Sequence, residues 1–245
     1  MWDPSNNARK GGDIEAGLPH LYPGMQESPQ LRWAFIRKVY AILSIQFLMT
    51  LAVASIVISV DRISNFFAHS AAGIGVYIAI SIFSFIVLFL LYLCHQKHPW
   101  NLLLLALFTV SISFQVGLAC AFSSGKVVLE AVILTTVIVV SLTLYTFWAA
   151  SRGHDFGFLG PFLFAGLMML MIFSFIQIFF PLGKISTMIF GAVAALIFCG
   201  YIIYDTDNLI KRYSYDEYIV AAVSLYLDIV NLFLALLQIL NAADS

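Results

Sequence analysis

Seven times along this chain a predominantly apolar run reaches the length needed to cross a bilayer. The runs cover roughly 39–60, 71–94, 101–122, 127–150, 158–181, 185–204 and 217–240. A hydrocarbon core about 30 Å thick takes about 20 helical residues at 1.5 Å each. Backbone amides in lipid must also find partners inside their own segment. Barrel strands would be about half as long and would alternate. The pattern therefore predicts an all-α integral membrane protein, a seven-transmembrane-helix bundle. Composition agrees. The chain is 62% hydrophobic and 10% charged, with a mean hydropathy of +0.96, whereas soluble domains are about 25% charged.

The breaks between runs are short and carry turn residues: HQKHPWN, FSSGK, SRGHDFGFLGP and FPLGK. Such loops make sequential helices antiparallel neighbours. The run 185–204 is the shortest, so the count of seven depends most on it. With the N-terminus in the cytosol, nine of the twelve Lys and Arg residues fall on that side. Arg62, Lys126 and Lys184 fall on the other, which matches the positive-inside bias. Seven spans then put the C-terminus on the lumenal or outer side. Residues 1–32 are polar and read as a disordered cytosolic tail, and 33–245 as the membrane domain. A net charge of −1 gives no electrostatic case for nucleic acid. Cys94, Cys120 and Cys199 read as packing residues. Small residues at packing spacing, Ala71, Gly75 and Ala79, then Gly191, Ala195 and Cys199, predict close helix approach.

Polar groups inside the spans carry the functional signal. A mid-helix charge costs about 2.5–3.5 kcal/mol on insertion scales and should face a cavity or a partner. In the seventh run, Ser224, Asp228, Asn231, Ala235 and Gln238 share one helical face. Asp205 lies near the end of the sixth. A tight hairpin at 213–217 would bring Asp205 and Asp228, about equally far from its centre, to similar depth. Asn208, three positions from Asp205, can join that face. At 4 Å and an effective dielectric of 20, two ionised carboxylates repel by about 4 kcal/mol. A shared proton removes that repulsion, and the pair titrates as a unit. Fully ionised, it attracts a hard cation such as Ca²⁺, which takes oxygen ligands. Asp205 and Asp228 are thus the candidate proton-controlled cation site. Asn208, Asn231, Glu130 and Gln238 are candidates for a pore or polar network. Gln46, Gln115 and Gln177 read as inter-helix glue. Lys211, Arg212, Asp216 and Glu217 read as a solvated loop that can also latch the hairpin.

The stretches IYDTDNLI and DEYIVAAVSLYLDIVNLFLALLQIL resemble the Bax-inhibitor motif transmembrane family, in particular plant members of its Lifeguard branch. LTLYTFWAASRGHDFGFLGPFLF and PLGKIS resemble the same branch, and the similarity covers nearly everything after residue 30. The resemblance implies that the seventh span is central, with six wrapped round it. It implies a pH-sensitive Ca²⁺ leak across an intracellular membrane (endoplasmic reticulum, Golgi or vacuole) and suppression of cell death. It places the two-aspartate sensor on Asp205 and Asp228. It also implies no cofactor besides Ca²⁺ as the transported ion, and the bilayer and cell-death regulatory membrane proteins as partners. Bacterial relatives latch the pair with an Arg in the second span. Here AAGIGVYIAISIFSFIVLFLLYLC has no basic residue, so closure would rest on the shared proton.

Two rivals stand beside this reading. A non-conducting scaffold would act on cell death through protein partners alone. An intramembrane aspartyl protease would use Tyr204–Asp205 as its YD motif, but its second Asp should sit in GxGD. Leu225 and Leu227 occupy both glycine positions, so no enzyme is expected.

Overall fold

The computed structural model describes residues 20–180 and 183–244. Eight α-helices follow in chain order: α1 (Pro29–Ser59), α2 (Asp61–His69), α3 (Ala71–Cys94), α4 (Trp100–Ala121), α5 (Gly125–Ser151), α6 (Leu159–Phe179), α7 (Lys184–Lys211) and α8 (Tyr218–Asp244). Seven of them, all except α2, are long and apolar enough to cross a membrane. Their outward side chains form the surface lipid wets: Phe85, Phe162, Ile185 and Leu196 are each at least 70% exposed. Among the described residues there is no strand.

The helix α8 is the core. It packs on α7, α5, α1 and α4, while α3 leans chiefly on α4 and α6 chiefly on α7. In lipid no hydrophobic drive separates helix from solvent, so shape and polar contacts hold the bundle. Gly191 of α7 meets α8 where a Cβ would lie 3.2 Å from the Ala235 carbonyl oxygen. On the opposite side, the Tyr226 hydroxyl lies 2.8 Å from Thr50 Oγ1, which accepts from Ser113 Oγ at 3.0 Å. Gln46 donates to Thr109 Oγ1 at 3.1 Å and Gln115 to Ser84 Oγ at 3.1 Å. These two glutamines serve as the expected glue.

Several expectations need correction. The stripe Ala71, Gly75 and Ala79 faces outward, and the packed small residue of α3 is Gly73, where a Cβ would stand 2.4 Å from the Phe66 carbonyl oxygen of α2. The sequence-predicted end of the sixth run at 204 falls short: α7 continues to Lys211, because Leu209 and Ile210 keep an apolar face buried. The α1 helix likewise starts ten residues before position 39, with Pro29 at its first turn. Of the expected tail, residues 1–19 lie outside the described residues. Residues 20–32 are part of the fold. Leu21 and Met25 are buried against the bundle, and Arg32 is buried with its charge paired to Glu27 at 2.7 Å.

Candidate functional site

Asp205 sits on α7 and Asp228 on α8, and the hairpin at 212–217 folds one beside the other. That turn is fixed by Ser214, whose N–H and hydroxyl both donate to the Glu217 carboxylate at 2.8 and 3.0 Å. Both aspartates are buried, at 8% and 6% exposure. Their carboxyl groups are close neighbours, and among the described residues Asp228 Oδ2 is buried without a hydrogen-bond partner. A carboxylate only accepts, so a contact between two of them requires a proton on one. None of the ion pairs among the described residues includes either aspartate. Asn208 Nδ2 donates to Asp205 Oδ1 at 3.3 Å.

Around the pair stands a ring of neutral hydroxyls. Tyr92 of α3 and Tyr213 of the hairpin both lie near Ser224 of α8. Tyr201 of α7 lies close enough to feel both carboxylates. Burial, then the nearby Asp205, pushes the Tyr213 phenol up, so it stays a neutral donor.

The remaining candidates scatter. Asn231 donates to the Leu227 carbonyl of its own helix at 2.8 Å. Gln238 lies toward the far end of α8, where with Asn241, Lys184 and Thr187 it lines a cavity of about 540 Å³. Glu130 does not join the site. It is half-exposed near the far end of α5 and pairs with Lys126 at 3.8 Å, one helical turn away. The face-sharing of Ser224, Asp228, Asn231 and Gln238 is thus real as helical geometry, but only Ser224 and Asp228 converge on Asp205.

Asp207, given no role from sequence, is the most enclosed carboxylate of the region. It is fully buried, with Lys211 Nζ at 2.5 Å, Arg212 Nη1 at 3.3 Å and the Phe156 N–H at 3.2 Å. Lys211 also donates to the His154 carbonyl, and Arg212 pairs with Asp155. Lys211 and Arg212 are therefore not a solvated loop: they clamp the α5–α6 loop to the end of α7. Arg212 Nη1 further donates to Asn208 Oδ1 at 2.6 Å. A basic residue thus reaches the aspartate pair indirectly, through Asn208. The spacing Asp207–Lys211, an i,i+4 pair, could have signalled this. The loop partners could not be read from spacing.

Among the described residues no group of three or more His, Cys, Asp and Glu side chains converges. Tight Ca²⁺ sites use six to eight oxygens. Two carboxylates fall well short of that set, and the Asn208 amide oxygen is already taken by Arg212.

Residues 32–245 match the family described as "Inhibitor of apoptosis-promoting Bax1". Protein LIFEGUARD 2 of Arabidopsis thaliana is 65% identical over 100% of both chains. Protein lifeguard 4 of Mus musculus is 40% identical over 89% of each chain. The Golgi anti-apoptotic protein of vaccinia virus (strain Lister) is 41% identical over 89% of each. With seven spans, a central α8 and these matches along nearly its whole length, the chain belongs to the Bax-inhibitor family of multi-pass membrane proteins, in its Lifeguard branch.

Proposed function

We propose that this protein is a proton-controlled calcium leak of an endomembrane, and that it suppresses programmed cell death. The observation that carries the reading is the buried contact between Asp205 and Asp228 without an ion-pair partner. The name of the vaccinia relative supports the endomembrane and cell-death parts.

With one proton shared, the pair ties α7 to α8. Loss of that proton leaves two like charges, repelling by about 4 kcal/mol at 4 Å and an effective dielectric of 20. The facing groups, Tyr92, Tyr201, Asn208, Tyr213 and Ser224, are neutral and do not cancel that charge. Two outcomes relieve it: separation of α7 and α8, or entry of a cation. Conduction needs both entry and release, so a cation must not bind too tightly.

The test is Ca²⁺ flux through proteoliposomes as pH crosses neutrality, with Asp205→Asn and Asp228→Asn beside the wild type. Each variant removes the like-charge term and should flatten the pH response. If both keep the wild-type profile, the leak reading is lost and a non-conducting scaffold takes its place.

A further inference from the structure

Residues 20–28 lie across the face that carries the α5–α6 loop and the α7–α8 hairpin. The segment has no regular helix of its own, yet it is held at several points. Leu21 and Met25 are buried, and Pro23 lies against Gly153 of the α5–α6 loop. Both oxygens of Glu27 accept from Arg32 Nη2 at 2.7 Å. Glu27 Oε2 also accepts from the Tyr215 hydroxyl at 2.5 Å. The guanidinium of Arg32 lies 5.0 Å from the centre of the Tyr215 ring and 5.5 Å from that of Phe35.

Arg32 has a second task. Its Nη1 donates to the main-chain carbonyl of Tyr213 at 2.6 Å. Tyr213 is therefore gripped from both sides. Its N–H donates to the Asn208 carbonyl at 2.9 Å, its own carbonyl is taken by Arg32, and its phenol lies near Ser224 and Asp205. The next residue back, Arg212, holds the Asn208 side chain that donates to Asp205. A buried guanidinium is costly unless its charge is matched. Glu27, at 38% side-chain exposure, is the accessible part of that match. Neutralising Glu27 thus undercuts Arg32, and Arg32 is what fixes the Tyr213 carbonyl.

We propose that Tyr213 is a plug closing this face over the Asp205–Asp228 pair, and that the Glu27–Arg32–Tyr215 strap is the catch holding it in place. The plug rests on the anchoring of the Tyr213 main chain beside Asn208 and Arg32. Its consequence for ion flow rests on the leak reading.

The experiment uses the full chain in sealed proteoliposomes. Cys94, Cys120 and Cys199 are replaced by Ala, and Ser224→Cys is the reporter beside the pair. A membrane-impermeant cationic thiol reagent is applied from the strap's side. Labelling should be slow in this background. Glu27→Gln combined with Tyr215→Phe should speed it by about tenfold, the factor implied by losing a charge-assisted hydrogen bond. Tyr213→Ala should speed it further. Should Tyr213→Ala fail to fold, the Glu27/Tyr215 pair of changes, both at the exposed edge, still decides. Rates within about twofold of the background, the range of an ordinary surface change, would overturn the plug. Ca²⁺ flux in the same vesicles without the reporter separates the two claims. Faster labelling with no change in flux keeps the plug and sinks the leak. Flux that responds to Asp205→Asn, with labelling unmoved by the strap changes, keeps the leak and sinks the plug.

Discussion

Asp205 and Asp207 are two residues apart on one helix and live in opposite electrostatic worlds. Asp207 has Lys211, Arg212 and a backbone N–H around it, while Asp205 has another carboxyl group and an amide. Removing the Asp207 charge strands two cations, one of them largely buried. Asp207→Ala should therefore cost about 3–5 kcal/mol, read as a lower unfolding midpoint in detergent. Asp205→Asn carries no such penalty, and its unfolding midpoint should stay near wild type or rise. The peripheral carboxylates give a contrasting pH signature. The Tyr215 hydroxyl, with Arg32, holds Glu27 below its ordinary 4.5. The Gly157 N–H, with Arg212, holds Asp155 below its ordinary 3.8. A lowered carboxylate contributes stability above its ordinary value and loses it as pH falls through the lowered one. Protease protection of residues 20–28 should thus stay flat above about pH 5 and fail only in acid. A flux response near neutrality cannot come from these groups and should vanish in Asp205→Asn. At this scale the sequence was enough to put Asp205, Asp228 and Asn208 at one depth, since depth follows from distance to a hairpin. It hid Arg32, which reads as one more topology charge until Glu27 and Tyr213 are seen around it. It also hid the Asp207 clamp, whose loop partners lie more than 50 positions away.

Between helices, contact is set by where a side chain is missing. A Cβ on Gly117 of α4 would lie 3.0 Å from the Ala54 Cα of α1 and 2.9 Å from the Val57 Cβ. A Cβ on Gly73 would lie 2.4 Å from the Phe66 carbonyl oxygen. Backbone and branched carbons cannot swing aside. Gly117→Ala and Gly73→Ala should each cost about 1–3 kcal/mol, as overpacking does. Gly75→Ala, with nothing within 4 Å, is the matched control and should be silent in the same unfolding assay. The seven spans were legible because lipid imposes length and apolarity on each one separately. Which glycine is packed was not, because Gly73 and Gly75 differ only in what another helix brings to them. The start of α1 and the end of α7 were hidden for a related reason. Both helices continue through polar residues whose partners come from elsewhere in the fold.

The bundle as a whole places its two ends on opposite faces, as an odd number of spans demands. Accessibility tags before residue 29 and after residue 244 should report different sides of a sealed vesicle, the first on the basic-rich side. Tags found on one side would remove a span. The central position of α8 also bears on how the protein is made. A ribosome delivers the other six spans before this one, so the core of the molecule is the last of the seven to arrive. Until it does, Gly191, Thr50 and the partners of Asp228 face an unfilled gap. A chain halted before residue 218 lacks the helix on which four of its spans pack, and its quality control has a single late event to inspect. Damage to α8 should therefore mark the newborn protein for removal more readily than equal damage to α3 or α6, each of which leans chiefly on one neighbour.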